Sequence, residues 1–197
     1  MPVPWNADDP RDLALIEANL RRVLRAIVQQ APLRDPPSVA LAQGWHREIY
    51  RDVELPVSYY AGEIRDSDPD FPELFGYEVA VGSSPGVPSR HVPGQLERFE
   101  RLMVEAVGRL DPIVSVGEKP TQPGMLHSVL TLCAISHGEW VRIHPFANGN
   151  GRTARLWANG CALRYGLPPF VRLRPRPAGD AYGSAAADSM RGDHRGW

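Results

Sequence analysis

Leu13, Ile16, Leu20, Leu24 and Ile27 recur at helical spacing, and the pattern predicts a helix that continues to about Gln30. Asp9-Pro10 reads as its start, with Asp9 as N-cap and Pro10 in the first turn. Pro32, Pro36 and Pro37 interrupt the chain before a second helical stretch over about 39–51. Residues 54–90 lose the helical period. They carry scattered Pro, Gly and Asp and two short β-prone pieces, 57–60 and 77–81, which predict loops and a small hairpin. The period returns near Pro93, with Leu96, Phe99, Met103, Val107 and Leu110 on one face. A further stretch from about Thr121 to Val141 is apolar around most of its circumference, the mark of a central buried helix. Helices over about 152–165, with Gly166 at the C′ position, and over 180–190 complete a mainly α reading. Residues 192–197 read as a loose tail.

Composition narrows the class. A chain of 197 residues, 43% hydrophobic and 23% charged, is an ordinary soluble domain with room for one sizeable core. The formal net charge of −1 gives no basic field for nucleic acid, and no apolar run approaches the length of a membrane helix. Lys119 is the only lysine, so cation contacts to an anion fall to arginine. Cys133 and Cys161 sit in apolar helical stretches and read as buried thiols. The expected compartment is the cytoplasm, although a specialised export signal would leave no trace of this kind.

The chemistry concentrates in residues 144–155, His-Pro-Phe-Ala-Asn-Gly-Asn-Gly-Arg-Thr-Ala-Arg, between two predicted helices. A Gly-Asn-Gly loop running into a helix start presents backbone N–H groups and the positive end of the helix dipole to one point, a cradle for phosphate. Arg152 and Arg155 lie three apart on one face at that start, which suits a polyphosphate better than a lone phosphate. His144 is the nearby group that titrates near neutrality and is the candidate general base for a hydroxyl attacking phosphorus. Phe146 is the candidate apolar anchor of the loop. The same stretch satisfies a loose Gly-x-Gly-x-x-Ala pattern, but no strand precedes it and no acid follows in residues 167–177, so a dinucleotide fold is excluded. His127 and His137 lie ten apart on one helix, a poor spacing for a shared metal ion, and are expected to be structural.

The stretch closely resembles the Fic signature, His-x-Phe-x-(Asp/Glu)-Gly-Asn-Gly-Arg-x-x-Arg, with seven of eight specified positions matched. Chance agreement at one site is on the order of one in a billion at average residue usage. Trp45–Tyr50, then Ala61-Gly62-Glu63-Ile64-Arg65, and later Gly160–Pro168 look like the family's flanking segments. The resemblance implies a compact helical core with a β-hairpin flap, here between about Tyr77 and Val92, that registers an extended target segment. It implies transfer of a nucleoside monophosphate, AMP from ATP, to a protein hydroxyl of Ser, Thr or Tyr, with Mg²⁺. His144 would deprotonate that hydroxyl. Gly149, Asn150 and Gly151 would hold the α- and β-phosphates, and Arg152 and Arg155 the β- and γ-phosphates. An antitoxin-like regulator is a further implied partner. The expected organisation is an N-terminal helix over 1–35 with a regulatory role, a Fic domain over 36–192, and a tail over 193–197.

Two positions bear on activity. Asn148 stands where the family carries a metal-holding carboxylate, and its neutral oxygen predicts weaker Mg²⁺ binding. Ile16-Glu17-Ala18-Asn19 resembles the family's inhibitory motif, whose glutamate pairs with the second arginine, although Leu13 and Ala18 depart from it. The other reading of Glu17 is a surface pair with Arg21 one turn on. A phosphotransferase with reversed nucleotide, as in the Doc branch, and a non-catalytic nucleotide-binding or interaction module are the alternative functions.

Overall fold

The computed structural model describes residues 3–173 and 180–197. Six helices carry the described chain: α1 (Leu13–Gln30), α2 (Val39–Ile49), α3 (Val92–Leu110), α4 (Pro123–Ile143), α5 (Asn150–Arg164) and α6 (Asp180–Met190). Two short antiparallel strands, β1 (Ala80–Val81) and β2 (Ser84–Pro85), pair Ala80 with Pro85 and Val81 with Ser84.

The helical periods bury the residues that defined them. Ile16, Leu20, Val23 and Ile27 turn α1 against α2 and α5, and Leu96, Phe99, Met103 and Val107 turn α3 inwards against α4. Full burial of such a side chain contributes about 1.5–3 kcal/mol. Helix α1 begins later than expected. Asp9 does not cap it, because its Oδ1 accepts the Arg11 N–H at 3.0 Å and its carbonyl accepts from Asp12 N, closing a separate turn over 9–12. Helix α2 is capped by Ser38, whose side chain accepts the Leu41 N–H.

Two expectations are corrected. The β-prone piece 57–60 has no strand to pair with. Its residues 58–60 form a 3₁₀ turn, and Tyr60 is buried beside Tyr59, Tyr77 and Trp5. The C-terminal residues are also not loose. His194 Nε2 lies 2.6 Å from Glu139 Oε1, Trp197 Nε1 donates to Ser189 Oγ, and the Trp197 ring packs 4.0 Å from His137.

The most enclosed helix is α5, buried along nearly its whole length, whereas the first turns of α4 are exposed. Sequence periodicity favoured α4 because it is the more apolar of the two. Helix α5 buries polar residues, Arg152, Thr153, Arg155 and Asn159, and these report a site or a capped loop rather than an oily core. Asn159 closes a nearby loop through paired bonds with the Val171 N–H and carbonyl, at 2.9 and 2.8 Å. Trp140 and Trp157 pack together in the core with Phe99, and Cys133 and Cys161 are buried and free. Among the described residues, no helix is long and apolar enough to cross a membrane.

Candidate active site

The connection between α4 and α5 forms the candidate site. His144 ends α4 in the left-handed region, at φ 54° and ψ 57°, which throws its side chain off the helix path. A carbonyl only accepts, so the 2.9 Å contact between His144 Nδ1 and the Val141 carbonyl fixes the proton on Nδ1. Nε2 is thereby left as the unprotonated acceptor on a ring that lines a pocket of about 220 Å³. Burial is the main cause that lowers the His144 pKa, to about 4, with the Arg65 charge adding to it and the Val141 bond opposing it. The ring is neutral at physiological pH.

The loop is held shut from within. Asn150 accepts the Phe146 N–H through Oδ1 and donates to the Phe146 carbonyl through Nδ2, both at 2.9 Å. Its side chain therefore braces the loop, and the polar group it leaves toward the pocket is its backbone N–H. Phe146 is fully buried and stacks on His46 at 3.8 Å. His46 accepts the Gly62 N–H at Nδ1, so its proton sits on Nε2 and is donated to the Asn148 carbonyl at 3.0 Å. Gly149 has a φ of 76°, and a Cβ there would lie 2.4 Å from Tyr50 Oη and 2.8 Å from His46 Nε2, so only glycine fits. The Gly149 carbonyl accepts from Arg152 N and Thr153 N, starting α5, while the Asn150 and Gly151 N–H groups of its first turn face out of the helix N-terminus. Gly149, Asn150, Gly151, Arg152 and Arg155 line the same pocket as His144. The structure thus brings the sequence-predicted phosphate and base residues together.

Arg65 was not singled out as a site residue, yet it organises this region. Fully buried, it donates from Nε to the His144 carbonyl (2.9 Å), from Nη2 to those of Ile143 (3.2 Å) and Val87 (3.1 Å), and from Nη1 to that of Tyr77 (2.6 Å). Its backbone N–H adds a bond to the Pro145 carbonyl. Burial lowers its pKa to about 10, so it stays charged. One side chain therefore ties the histidine turn to both ends of the hairpin segment. Its one sequence signal was membership of the stretch 61–65.

The two motif arginines are differently engaged. Arg155 donates to the Leu173 carbonyl and to Tyr182 Oη, at 3.2 and 2.9 Å. Arg152 donates from Nη1 to Tyr50 Oη (2.6 Å) and from Nη2 to the Ala7 carbonyl (2.9 Å) and Asp8 Oδ1 (2.5 Å). No periodicity or spacing in the sequence pointed to residues 5–8 as part of the site. Glu17 lies apart from both arginines. It sits half-exposed on the solvent face of α1, paired with Arg21 at 2.6 Å, because Ile16 and Leu20 claim the inward face. The pairing of Glu17 with the second arginine is not formed. His127 is exposed and His137 buried, and no metal-ligand cluster occurs among the described residues.

Asn148 was expected to be a weak metal ligand. Its Nδ2 donates to the Trp5 carbonyl at 2.9 Å, and its Oδ1 accepts the Gly149 N–H at 2.7 Å. The side chain thus offers a divalent cation one neutral oxygen that is already engaged. The carboxylate that lines the same pocket, Asp8, is paired with Arg152, so the residues present do not fit a metal site of their own.

Burial gives a pH dependence of defined sign. His46, His137 and His144 have pKa values lowered to about 3, 3 and 4, against 6.5 when unfolded. Unfolding therefore takes up protons between these limits. Stability is fully present above about pH 6.5 and is lost as pH falls towards 4. The melting temperature should be level from pH 7 to 8 and fall steadily below 6.5, and a flat profile down to pH 4.5 would refute the burial of neutral imidazoles.

Comparison with known proteins places the chain in a family. Residues 36–162 match the Fic/DOC family, and the chain belongs to it. It is similar to the protein adenylyltransferase fic-1 of Caenorhabditis briggsae, 53% identical over 127 residues, which is 64% of this chain and 19% of that protein. It is also similar to the protein adenylyltransferase Fic of Nematostella vectensis, 49% identical over 49 residues, 25% of this chain and 11% of that protein. The chain thus spans less than a fifth of these curated relatives. Its fold is that of a Fic-domain-containing signalling protein from Bacteroides thetaiotaomicron, with a TM-score of 0.58 at 19% identity, over 89% of this chain and 54% of the other. The BepC effector of Bartonella tribocorum, solved with AMPPNP, superposes with a TM-score of 0.59 at 14% identity over 100% and 88% of the two chains.

Proposed function

We propose that this chain transfers a nucleoside monophosphate, AMP from ATP, onto a hydroxyl side chain of a protein. The observation that carries the reading is one pocket lined by a histidine whose Nε2 is unprotonated, by the N-terminus of α5 and by two arginines. In this mechanism Nε2 of His144 accepts the proton of a Ser, Thr or Tyr hydroxyl. The oxygen bonds to the α-phosphorus, the bridging α–β P–O bond breaks, and pyrophosphate leaves. The α5 N–H groups and both arginines stabilise the charge on the phosphates. A low pKa keeps His144 deprotonated but makes it a weak base. The negative charge of a bound triphosphate raises that pKa again, which strengthens the base once the donor is in place.

The hairpin is the proposed docking edge for an extended segment of the target. Its base leans on the His144 turn, since a Cβ at Gly86 would lie 2.9 Å from Val79 Cγ2 and 3.6 Å from His144 Cβ. The choice of adenine is supported by the names of the relatives and by the AMPPNP in the Bartonella neighbour. Mg²⁺ is proposed to arrive on the nucleotide's own phosphate oxygens, given the engagement of Asn148. A cytoplasmic setting is part of the same proposal. Incubation with each of the four nucleoside triphosphates, followed by intact-mass measurement of the protein and of added target, tests the reading. A gain of one nucleoside monophosphate is expected. A gain of phosphate alone would move the chain to phosphoryl transfer, and no gain under any condition would leave it a binding module.

A further inference from the structure

The N-terminal segment crosses the phosphate end of the pocket. Trp5 packs on the rings of Tyr50 at 4.7 Å and Tyr60 at 5.9 Å, and its carbonyl takes the Asn148 amide hydrogen. Tyr60 Oη accepts the Val3 N–H and donates to the Val3 carbonyl, at 3.1 and 2.9 Å. From this anchorage the chain delivers the Ala7 carbonyl and the Asp8 carboxylate to Arg152, and Asp8 lines the pocket with His144 and Gly149.

Counting donors shows what this does. A guanidinium has two edges able to grip a phosphate bidentately, Nη1/Nη2 and Nε/Nη2, and both use Nη2. In Arg152 both Nη2 hydrogens are occupied by the segment, one on Ala7 and one on Asp8. A triphosphate cannot take either edge while Asp8 stays in place. Asn148 fits the same arrangement. Its amide is the group that can accept the Gly149 N–H and donate to Trp5 at once. An aspartate there would turn an anionic oxygen towards the Trp5 carbonyl, replacing a hydrogen bond with repulsion.

We propose that Asn148 is a positioning residue, the clasp of an N-terminal strap whose Asp8 carboxylate occupies the phosphate seat on Arg152, so that nucleotide binding displaces the strap. The proposal rests on the nucleotide-binding reading above, and it deepens it: the residue that departs from the family motif serves the strap rather than a metal. The barrier the strap imposes is moderate, because the Asp8 side chain is 72% exposed and water competes for it.

The test measures binding of a non-hydrolysable ATP analogue by calorimetry in EDTA, so that no effect passes through a metal. Asp8→Ala, Asn148→Asp and a chain lacking residues 1–8 are compared with wild type, and Glu17→Gln, on the outer face of α1, serves as the control. Asp8→Ala and the shortened chain should bind roughly tenfold more tightly, the scale of a charge-assisted hydrogen bond discounted for exposure. Asn148→Asp adds a carboxylate that repels the phosphates when no cation is present. It should therefore lose affinity in the shortened chain and lose less, or gain, in the full chain, where release of the strap offsets the repulsion. Hydrogen exchange gives a second readout, in which the analogue should speed exchange across residues 3–8 of wild type. Equal affinity of wild type and the Asp8 variant, with the strap still protected when nucleotide is bound, overturns the proposal and leaves the nucleotide reading standing. Failure of every folded variant, the shortened chain included, to bind any of the four nucleoside triphosphates overturns the nucleotide reading itself, and this proposal with it.

Discussion

His144→Ala should lower the rate of nucleotide transfer by roughly 10²–10⁴-fold, the usual contribution of a positioned general base. Nucleotide affinity should hardly change, because the phosphate-facing groups belong to α5 and to arginines on its first turns. The alanine must adopt the same left-handed conformation, at φ 54°, and loses the bond to the Val141 carbonyl. A modest loss of stability is therefore expected, and a melting curve should accompany the kinetics. Single-turnover transfer and analogue binding, measured on the same folded preparation, separate the two effects. A rate within a factor of a few of wild type would remove His144 from proton transfer.

The second large effect is on the fold around that histidine. Arg65→Met should cost about 3 kcal/mol or more, since the substitution leaves the carbonyls of His144, Ile143, Tyr77 and Val87 without a buried donor. Replacing a buried charge with an apolar side chain is sometimes neutral, because it relieves the cost of desolvation. That relief does not win here. The partners are fixed backbone carbonyls, while the nearest carboxylate, Glu78, is 3.8 Å away and 60% exposed. For a chain of this size the loss corresponds to a fall in melting temperature of about 6–12 °C. Arg65→Lys should recover part of it, with one ammonium reaching fewer of the four acceptors. Transfer should fall further than nucleotide binding does, because the turn that aims His144 and the hairpin beside it loosen together. A melting temperature within about 2 °C of wild type would show that the carbonyls find other donors.

The sequence pattern located all six helices within a few residues, and α1 and α3 bury the apolar stripe that marked them. It failed where burial was polar or aromatic. Tyr60 joins an aromatic cluster instead of a strand, and α5 hides behind its arginines. Helix starts also escaped it, because Asp9 binds Arg11 in place of capping α1.

At the site, the motif residues were legible because their chemistry is local. A glycine-bounded loop, the helix start behind it and the arginines on its first turns lie within twelve consecutive residues, and backbone geometry alone converges them. What each side chain binds was decided by contacts from elsewhere in the chain. Arg65 reaches the histidine turn across 79 positions and Trp5 reaches Asn148 across 143. Asp8 meets Arg152 across 144 positions, while Glu17, whose neighbours in sequence suggested an inhibitor, turns to solvent and pairs with Arg21. The amino-acid sequence by itself determined the helical class and pointed to the glycine-bounded loop and to His144 as the candidate site. Only the tertiary structure decided that the His144 turn is held by a buried arginine, and that Asn148 and the first arginine face the N-terminal segment. Hydrogen bonds between residues so far apart leave no period, spacing or composition to read, because they exist only once packing has brought their partners together.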